Sequence, residues 1–397
     1  MDTYDAVDLF AGPGGWDVAA RSLGLNVIGI EWDHSACETR RAAGLPTVEG
    51  DVRDYGPLDW PDAHTLIASP PCQTFSMAGK GAGRKALDVV ISLAWRMHAR
   101  RDIAEALAGM VDERTALVLE PLRWALQAID AGIPYRAVVL EQVPTVLPVW
   151  ETFAEILRAE GYSVATGRLS AEQYGVPQTR KRAFLVARLD GPAKLPEPTH
   201  RKYRKGVPQH EGDPALLPWV SMADALGTDV LFTVVSNYGT GGDASRRGER
   251  TSAEPSATIT SKADRNRVVM VASARKRATV READEPAPTI AAGHDWGDRR
   301  WVLRNNNSAN AAVRPVSDPA PTLYFGARLN YCAWERETPG ECRERPTDSV
   351  RITMEEAALL QSFPDGYPWK GTRTKVFQQI GNAVPPLLAR AVLREVL

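Results

Sequence analysis

The tetrad Ser69-Pro70-Pro71-Cys72, continued by Gln73-Thr74-Phe75-Ser76, joins a thiol to a rigid turn. Two consecutive prolines fix the backbone and deliver Cys72 in one direction, which a reactive thiol needs and a packed core thiol does not. Glu141-Gln142-Val143-Pro144 sets a carboxylate beside a second proline-fixed turn. In Gln178-Thr179-Arg180-Lys181-Arg182, extended-strand alternation puts Gln178, Arg180 and Arg182 on one face. An amide and two guanidiniums so placed suit a base edge or a phosphate. A directed thiol, an acid and fixed cations are the parts of nucleophilic catalysis with charge stabilisation.

Each group needs an element to aim it. Thr65-Leu66-Ile67-Ala68 is an apolar run that reads as a short buried strand, placing Cys72 just past its C-terminal end. Val138-Val139-Leu140 reads likewise and delivers Glu141. Near the start, Ala6 to Phe10 is a strand and Ala11-Gly12-Pro13-Gly14-Gly15 a turn. Trp16 to Leu23 is a helix stopped by Gly24, and Val27-Ile28-Gly29-Ile30 a strand ending in Glu31-Trp32-Asp33. Pro46-Thr47-Val48 leads to a third strand ended by Asp51. Strand, glycine turn, helix and strand make the first half of a doubly wound α/β fold, whose ligands lie beyond the C-terminal strand ends. The glycines lack the dinucleotide spacing and Pro13 obstructs a pyrophosphate, so an adenosine-type cofactor without phosphates fits better. Residues 77–85 are glycine-rich and basic, the composition of a closing lid, and residues 86–132 are helical in pattern.

The chain of 397 residues is long enough for two domains. Its 24% charged and 44% hydrophobic residues are ordinary for a soluble globular protein. A net charge of −1 announces no polyanion partner globally, so any nucleic-acid surface must be local. Cys37, Cys72, Cys332 and Cys342 form no Cys-x-x-Cys pair, which argues against zinc and a disulfide framework and for a reducing cytoplasm. No leader or membrane-length apolar run is expected.

Composition changes near residue 190, where a stretch to Pro208 rich in Pro, Lys and Arg reads as a linker. Beyond it Glu254-Pro255-Ser256-Ala257-Thr258-Ile259, Glu285-Pro286-Ala287-Pro288-Thr289-Ile290 and Asp318-Pro319-Ala320-Pro321-Thr322-Leu323 repeat one pattern of turn and short strand. Residues 262–281 hold seven basic side chains, among them Arg265 and Arg267, against the single acid Asp264. Asn305 to Asn307, Trp296 and Trp301 add base-reading and stacking chemistry. The last segment returns to helix through a capping box, Thr353 with Glu356, and closes with Gln379-Ile380-Gly381-Asn382-Ala383-Val384 before an apolar helix from Leu387 to Leu397.

Taken in order, these pieces resemble the cytosine-5 DNA methyltransferase family nearly end to end. Asp8 to Gly15 resembles its cofactor loop, Pro70-Pro71-Cys72-Gln73 its nucleophile motif, and Gln178-x-Arg180-x-Arg182 its base-binding arginines. Arg351 to Pro364 and Gln379 to Val384 resemble its two closing motifs. The resemblance implies S-adenosyl-L-methionine as methyl donor, held by Phe10, Gly12, Gly14 and Pro71, with Glu31 on the ribose, Trp32 on the adenine face and Asp51 on the adenine amino group. Asn382 and Val384 are expected to close that pocket. It implies Cys72 as nucleophile on a flipped-out cytosine, Glu141 at ring nitrogen 3, Arg182 on the base carbonyl and Arg180 in support. Double-stranded DNA is the expected partner, with Gln73, Ser76, Lys80, Arg84, Gln178, Arg265, Arg267 and Arg299 on its surface and no metal. The implied shape is a doubly wound, Rossmann-like methyltransferase domain over residues 1–195 and a smaller, mostly β target-recognition domain over 196–345. A hinge over 346–375 and a C-terminal helix over 376–397 return to the first domain. A monomer is expected, in a restriction-modification or phage self-protection context, with a cognate restriction endonuclease as the further partner that context allows.

Two departures from the family pattern stand out. Gln142 occupies the place of the usual Asn after the catalytic acid, which bears on the geometry of the Pro-Pro-Cys loop. The stretch from Cys72 to Glu141 is longer than in compact members, and its extra residues around 95–115 read as a surface insertion. Methylation of tRNA by the same motifs is the alternative substrate class, disfavoured by the large basic β region. A catalytically inactive DNA-binding relative is disfavoured by the presence of Cys72, Glu141 and Arg182, and amino-group methyltransferases need no such cysteine. Each repeat unit is expected to present one loop to the major groove.

Overall fold

A computed structural model of the chain describes residues 3–71, 82–108, 116–204, 207–221 and 353–397, with 224–225, 270–271, 280–281, 301–304, 313–315, 317–321, 333–336 and 349–351 between them. Strands β1 (Ala6–Leu9), β2 (Val27–Glu31), β3 (Thr47–Glu49), β4 (Thr65–Ala68), β5 (Ala137–Gln142), β6 (Ser163–Ser170) and β8 (Lys181–Arg188) form one sheet in the order β3-β2-β1-β4-β5-β8-β6. The first five run parallel, and β8 is antiparallel to both β5 and β6. The order reverses between β1 and β4, the switch point at which doubly wound sheets bind ligands. The expected α/β architecture is therefore present.

Strands buried on both faces read as continuous apolar runs, and the side chains sort by period two. Val7, Leu9, Leu66, Ala68, Val138 and Leu140 face one core, shared with α3 (Ala82–His98), α5 (Glu120–Asp130) and α6 (Leu147–Ala159). Ala6, Ile67, Val139, Phe184 and Val186 face the other, covered by α1 (Gly15–Arg21) and α9 (Pro386–Leu393). Each such aliphatic side chain contributes about 1.5–3 kcal/mol on burial. The final helix is shorter than the expected Leu387 to Leu397, ending at Leu393.

Other expectations need adjusting. Residues 82–85, expected in a loop, form the first turn of α3, since only the glycine at 83 interrupts a run of good helix formers. Residues 99–107, between and including α4 (Ala104–Ala108), are largely exposed, but Arg100 at φ 53° donates to Asp130 and Glu160 and clips the segment to α5 and α6. The stretch expected as a linker is irregular yet pinned. Tyr174 donates to the Pro196 carbonyl at 2.8 Å, Gln173 O accepts from the amides of Thr199 and His200, and Tyr203 packs edge-on against Trp219. Residues 346–375, expected as a hinge, carry α7 (Met354–Leu360). It opens with the expected capping box, Thr353 Oγ1 accepting from Glu356 N and Glu356 Oε2 from Thr353 N. α7 and α8 (Arg373–Asn382) share an apolar cluster with Ala320.

Farther along the chain β12 (Val313–Pro315), β11 (Trp301–Arg304), β14 (Ala333–Arg336) and β15 (Ser349–Arg351) form one antiparallel sheet. The first two repeat units lie outside the described residues. The third forms β13 (Ala320–Pro321), fully buried at Ala320 and paired in parallel with β7 (Gln178–Thr179). Asp318 to Pro321 thus joins the two regions. Among the described residues no helix is long and apolar enough to cross a membrane and no group of His, Cys, Asp and Glu is placed to hold a metal.

One buried charge cluster fixes the first half of the sheet. Arg40 is fully buried and grips Asp17 with both ends of its fork, at 2.6 and 2.8 Å. The same guanidinium donates to the Pro46 carbonyl at 3.0 Å and Thr47 Oγ1 at 3.1 Å, and approaches the Ala11 carbonyl at 3.4 Å. It therefore ties α1, the glycine turn and the approach to β3 together. Gly29 makes room, because a Cβ there would meet Arg40 Nη2 at 1.8 Å. Asp8, fully buried alongside, has no hydrogen-bond partner on either carboxylate oxygen. Burial first, then Asp17, pushes its pKa well above the ordinary value, against the pull of Arg40.

Arg40→Met leaves Asp17 buried without its partner and is expected to cost about 3–5 kcal/mol, read as a lowered denaturant midpoint. Asp8 works in the opposite sense. The unfolded carboxyl ionises near 3.8 while the folded one stays neutral, so stability falls as pH rises above that value. Asp8→Asn removes the loss, making the variant the more stable at pH 7 with an advantage that shrinks toward pH 4. Parallel stability curves for the two proteins across that range would show Asp8 to be ionised in the fold.

Candidate active site

Five strand ends converge on one edge. After β1 the chain turns through Phe10 at φ 60°, Gly12 at 54° and Gly14 at 99°. Gly12 donates its amide to Glu31 Oε2 at 2.7 Å, and Asp33 donates to Glu31 Oε1 at the same distance. Glu31 is thus the acid at the end of β2 that organises the turn after β1. Burial raises its pKa, outweighing the Asp33 and Gly12 amides and Arg40. A Cβ built on Gly12 meets nothing within 4 Å, so the glycine opens onto free space. Trp32 beside it exposes 72% of its surface. An open glycine shelf, a carboxylate and an exposed indole suit an adenosyl ligand: hydroxyls for the acid, an aromatic plane for the indole, no phosphate required. S-adenosyl-L-methionine fits that donor set.

The remaining residues expected at the cofactor fall into two groups. Asp51 caps the turn after β3, but Arg53 holds both of its oxygens, at 2.6–3.0 Å. Burial would raise that carboxyl, and Arg53 outweighs it to leave the pKa lowered. Asn382 is exposed at the end of α8, whereas the Val384 side chain is buried in the apolar cluster with α1. The C-terminal segment reaches the glycine turn through Tyr367, which donates to Pro13 O at 2.5 Å. It reaches α2 (His34–Ala42) through Lys375, whose ammonium lies 2.5 Å from Asp33. Burial would raise Asp33, but Lys375 and the Ala36 and Ser35 amides leave its pKa lowered.

Past β4, the Ser69 hydroxyl accepts from Trp16 Nε1 at 3.0 Å, and Pro70 and Pro71 follow. The Gln142 side chain donates to the Pro70 carbonyl while its own oxygen accepts from Val143 N. Gln142 therefore steadies the Pro-Pro turn from the end of β5, the task expected of Asn at this position. Cys72, Gln73, Ser76 and Lys80 lie outside the described residues, as do Arg265, Arg267 and Arg299; Arg84 falls in the first turn of α3. Cys37 is no rival nucleophile. It is buried on α2, and burial followed by Glu31 and Glu49 pushes its thiol up to about 12.

Glu141 is 4% exposed, and Arg182 Nε lies 3.0 Å from its Oε1. Their meeting follows from the register. β8 starts where β5 ends, with Glu141 opposite Phe184 and Gln142 opposite Ala183. The alternating face expected for Gln178, Arg180 and Arg182 holds, but only Arg182 reaches the site edge. Gln178 is fully buried and donates to Gln361 Oε1 at 2.6 Å, so it does not face nucleic acid. Arg180, 1% exposed, donates to the Gly381 carbonyl at 2.9 Å. That carbonyl is among the last of α8, where acceptors lack helical partners and a cation complements the dipole. Arg180 thus ties the motif strand to the C-terminal segment. Ser69, Trp16, Tyr367 and Lys375 were not foreseen as site residues. Asp33, directly after Trp32 and ahead of a helix, carried a readable N-cap signal.

A family model for the C-5 cytosine-specific DNA methylases matches residues 4–95 and 107–397. The unmatched residues 96–106 fall within the expected insertion. The chain is 31% identical over 399 residues to the type II methyltransferase M.HaeII of Haemophilus aegyptius, covering 99% of this chain and 92% of that protein. Its fold is similar to that of the S. pombe Dnmt2 methyltransferase, with TM-score 0.54, 15% identity and coverage of 99% and 98%. It also resembles a putative DNA modification methyltransferase encoded within an E. coli prophage, with TM-score 0.52, 17% identity and the same coverage. With its site residues ordered along the strand ends and its matched length nearly complete, the chain belongs to the C-5 cytosine-specific DNA methylase family.

Proposed function

We propose that this enzyme flips a cytosine from a short duplex sequence and methylates carbon 5 through a covalent adduct on Cys72. The observation that carries the reading is the Glu141–Arg182 contact at the end of β5, beside a Pro-Pro turn that Gln142 holds in place. Cytosine C5 is a poor nucleophile until the ring becomes an enamine. The Cys72 thiolate forms a bond to C6, and the C5=C6 electron pair moves into the ring. Glu141 holds a proton at N3 and Arg182 the base carbonyl, so the developing charge is accepted. S-adenosyl-L-methionine supplies the electrophilic methyl group taken by C5. Loss of the C5 proton returns the electron pair and expels the thiolate. A stacked base offers neither face to these groups, which requires extrusion.

Residues 1–195 with the C-terminal segment serve as the catalytic unit and residues 196–345 as the target-recognition unit, acting as a monomer on duplex DNA. A type II restriction-modification role follows the name of the M.HaeII relative, with a cognate endonuclease as partner.

Bisulfite sequencing of DNA from cells expressing the wild type beside Cys72→Ala tests the reading directly. Methylated cytosines in one fixed context, absent from the variant, are expected. Unmethylated DNA from a protein that still binds S-adenosyl-L-methionine would transfer the substrate to RNA. A second measurement addresses Glu31. As a carboxylate it accepts the ribose hydroxyls, and its raised pKa brings protonation in above the ordinary 4.5. Cofactor affinity is expected to fall as pH drops toward that range, while Glu31→Gln binds more weakly with a flat profile. Equal pH profiles would remove Glu31 from the cofactor site.

A further inference from the structure

On the side of β7 and β8 away from Gln178, Arg180 and Arg182, an open cavity of about 340 Å³ is lined by Glu172, Thr179, Lys181, Lys202, Tyr203 and Arg314. Three of the six are cations from three separate stretches of chain. Arg314 is held in place: its guanidinium lies 4.2 Å from the centre of the Tyr203 ring and donates to the Pro319 carbonyl at 3.2 Å. Tyr203 in turn donates to Asp318. The acid and proline that open the third repeat unit therefore brace the cavity wall. Lys181 and Lys202 form no ion pair among the described residues, and both are exposed. Glu172 is 3% exposed, and its Oε2 has no hydrogen-bond partner. Burial raises its pKa, against the pull of Lys202, Arg314 and Lys181, so burial works against the one negative charge among the lining residues.

We propose that this cavity seats one backbone phosphate of the DNA substrate, gripped by Lys181, Lys202 and Arg314. The proposal rests on the reading of duplex DNA as substrate. Strand geometry supports it. Thr179 and Lys181 alternate with Gln178, Arg180 and Arg182, so the extended segment from β7 into the start of β8 sends its odd residues to the seat and its even ones toward the base-side arginine. Thr179 and Arg182 are about 10 Å apart at the rise of an extended chain. Duplex DNA advances about 3.4 Å per nucleotide along one strand. The seated phosphate therefore lies within about three nucleotides of the target base. An exposed, cation-lined cavity with one side open admits a passing diester, and phosphate contacts of this kind fix register without reading sequence.

The test is equilibrium binding of a short mixed-sequence duplex over a range of salt, for the wild type, Lys181→Gln, Lys202→Gln and the double variant. Each single change is expected to weaken binding. Because both lysines serve one phosphate that Arg314 also grips, the double variant should lose a measurable part of, and no more than, about 0.9 from the slope of log K against log salt. S-adenosyl-L-methionine affinity is expected to stay within twofold. Methylphosphonate placed singly along the duplex should weaken wild-type binding at one position and have a smaller effect there in the double variant, where Arg314 alone remains. An unchanged slope with affinity within twofold would overturn the seat while leaving the methyltransferase reading intact, and a loss of about 1.8 would assign the lysines to two phosphates instead. A wild type that binds no duplex would overturn DNA as substrate, and the seat with it.

Discussion

Parallel pairing of β3, β2, β1, β4 and β5 turns five strand ends to one edge, and the reversal of order between β1 and β4 opens a crevice there. The glycine turn, Glu31, Asp51, the Pro-Pro turn and Glu141 stand at those ends because the sheet leaves them no other place. The antiparallel β8 completes the edge. Running against β5, it begins where β5 finishes, and this single reversal brings Arg182 to 3.0 Å from Glu141 across a sequence gap of some forty residues.

The edge is useful only if its turns are held, and they are held from below. Arg40 joins α1, the glycine turn and the approach to β3, within a buried cluster in which burial and Asp17 raise the Asp8 pKa well above its ordinary value. Glu31 binds the turn amide of Gly12, and Gln142 binds the Pro70 carbonyl. In each case a side chain from a neighbouring strand end accepts or supplies the hydrogen bond that an irregular turn lacks internally. Preorganisation of this kind lets the reacting groups meet a substrate without rearranging.

Much of this was legible in the residues. Short apolar runs, closed by an acid, a glycine turn or a proline, marked the strands of the parallel half, and the Thr353–Glu356 box marked its helix. Gly29 was read as a strand residue, yet the reason for glycine there, the Arg40 guanidinium, lies on α2 and leaves no local trace. Gln178 and Arg180 were assigned to the right face but the wrong neighbour. Alternation tells which side chains travel together, and only the returning C-terminal segment decides what they meet. The repeat was visible as a pattern, while the docking of its third unit onto β7 depends on a pairing across the chain, as in the 141-residue separation of Thr179 and Ala320.

The contacts of residues 353–393 with the first domain bear on the order in which the molecule assembles. Tyr367 reaches Pro13 across 354 residues, Lys375 reaches Asp33 across 342, and Gly381 accepts from Arg180 across 201. Closing such loops is entropically costly before any contact rewards it, so folds rich in them form slowly. During synthesis the N-terminal sheet emerges first and must wait, with the α1 face that α9 will cover still wet, while residues 196–345 are translated. The nascent chain therefore passes through a long period in which its strand edge exists but its glycine turn is unfastened.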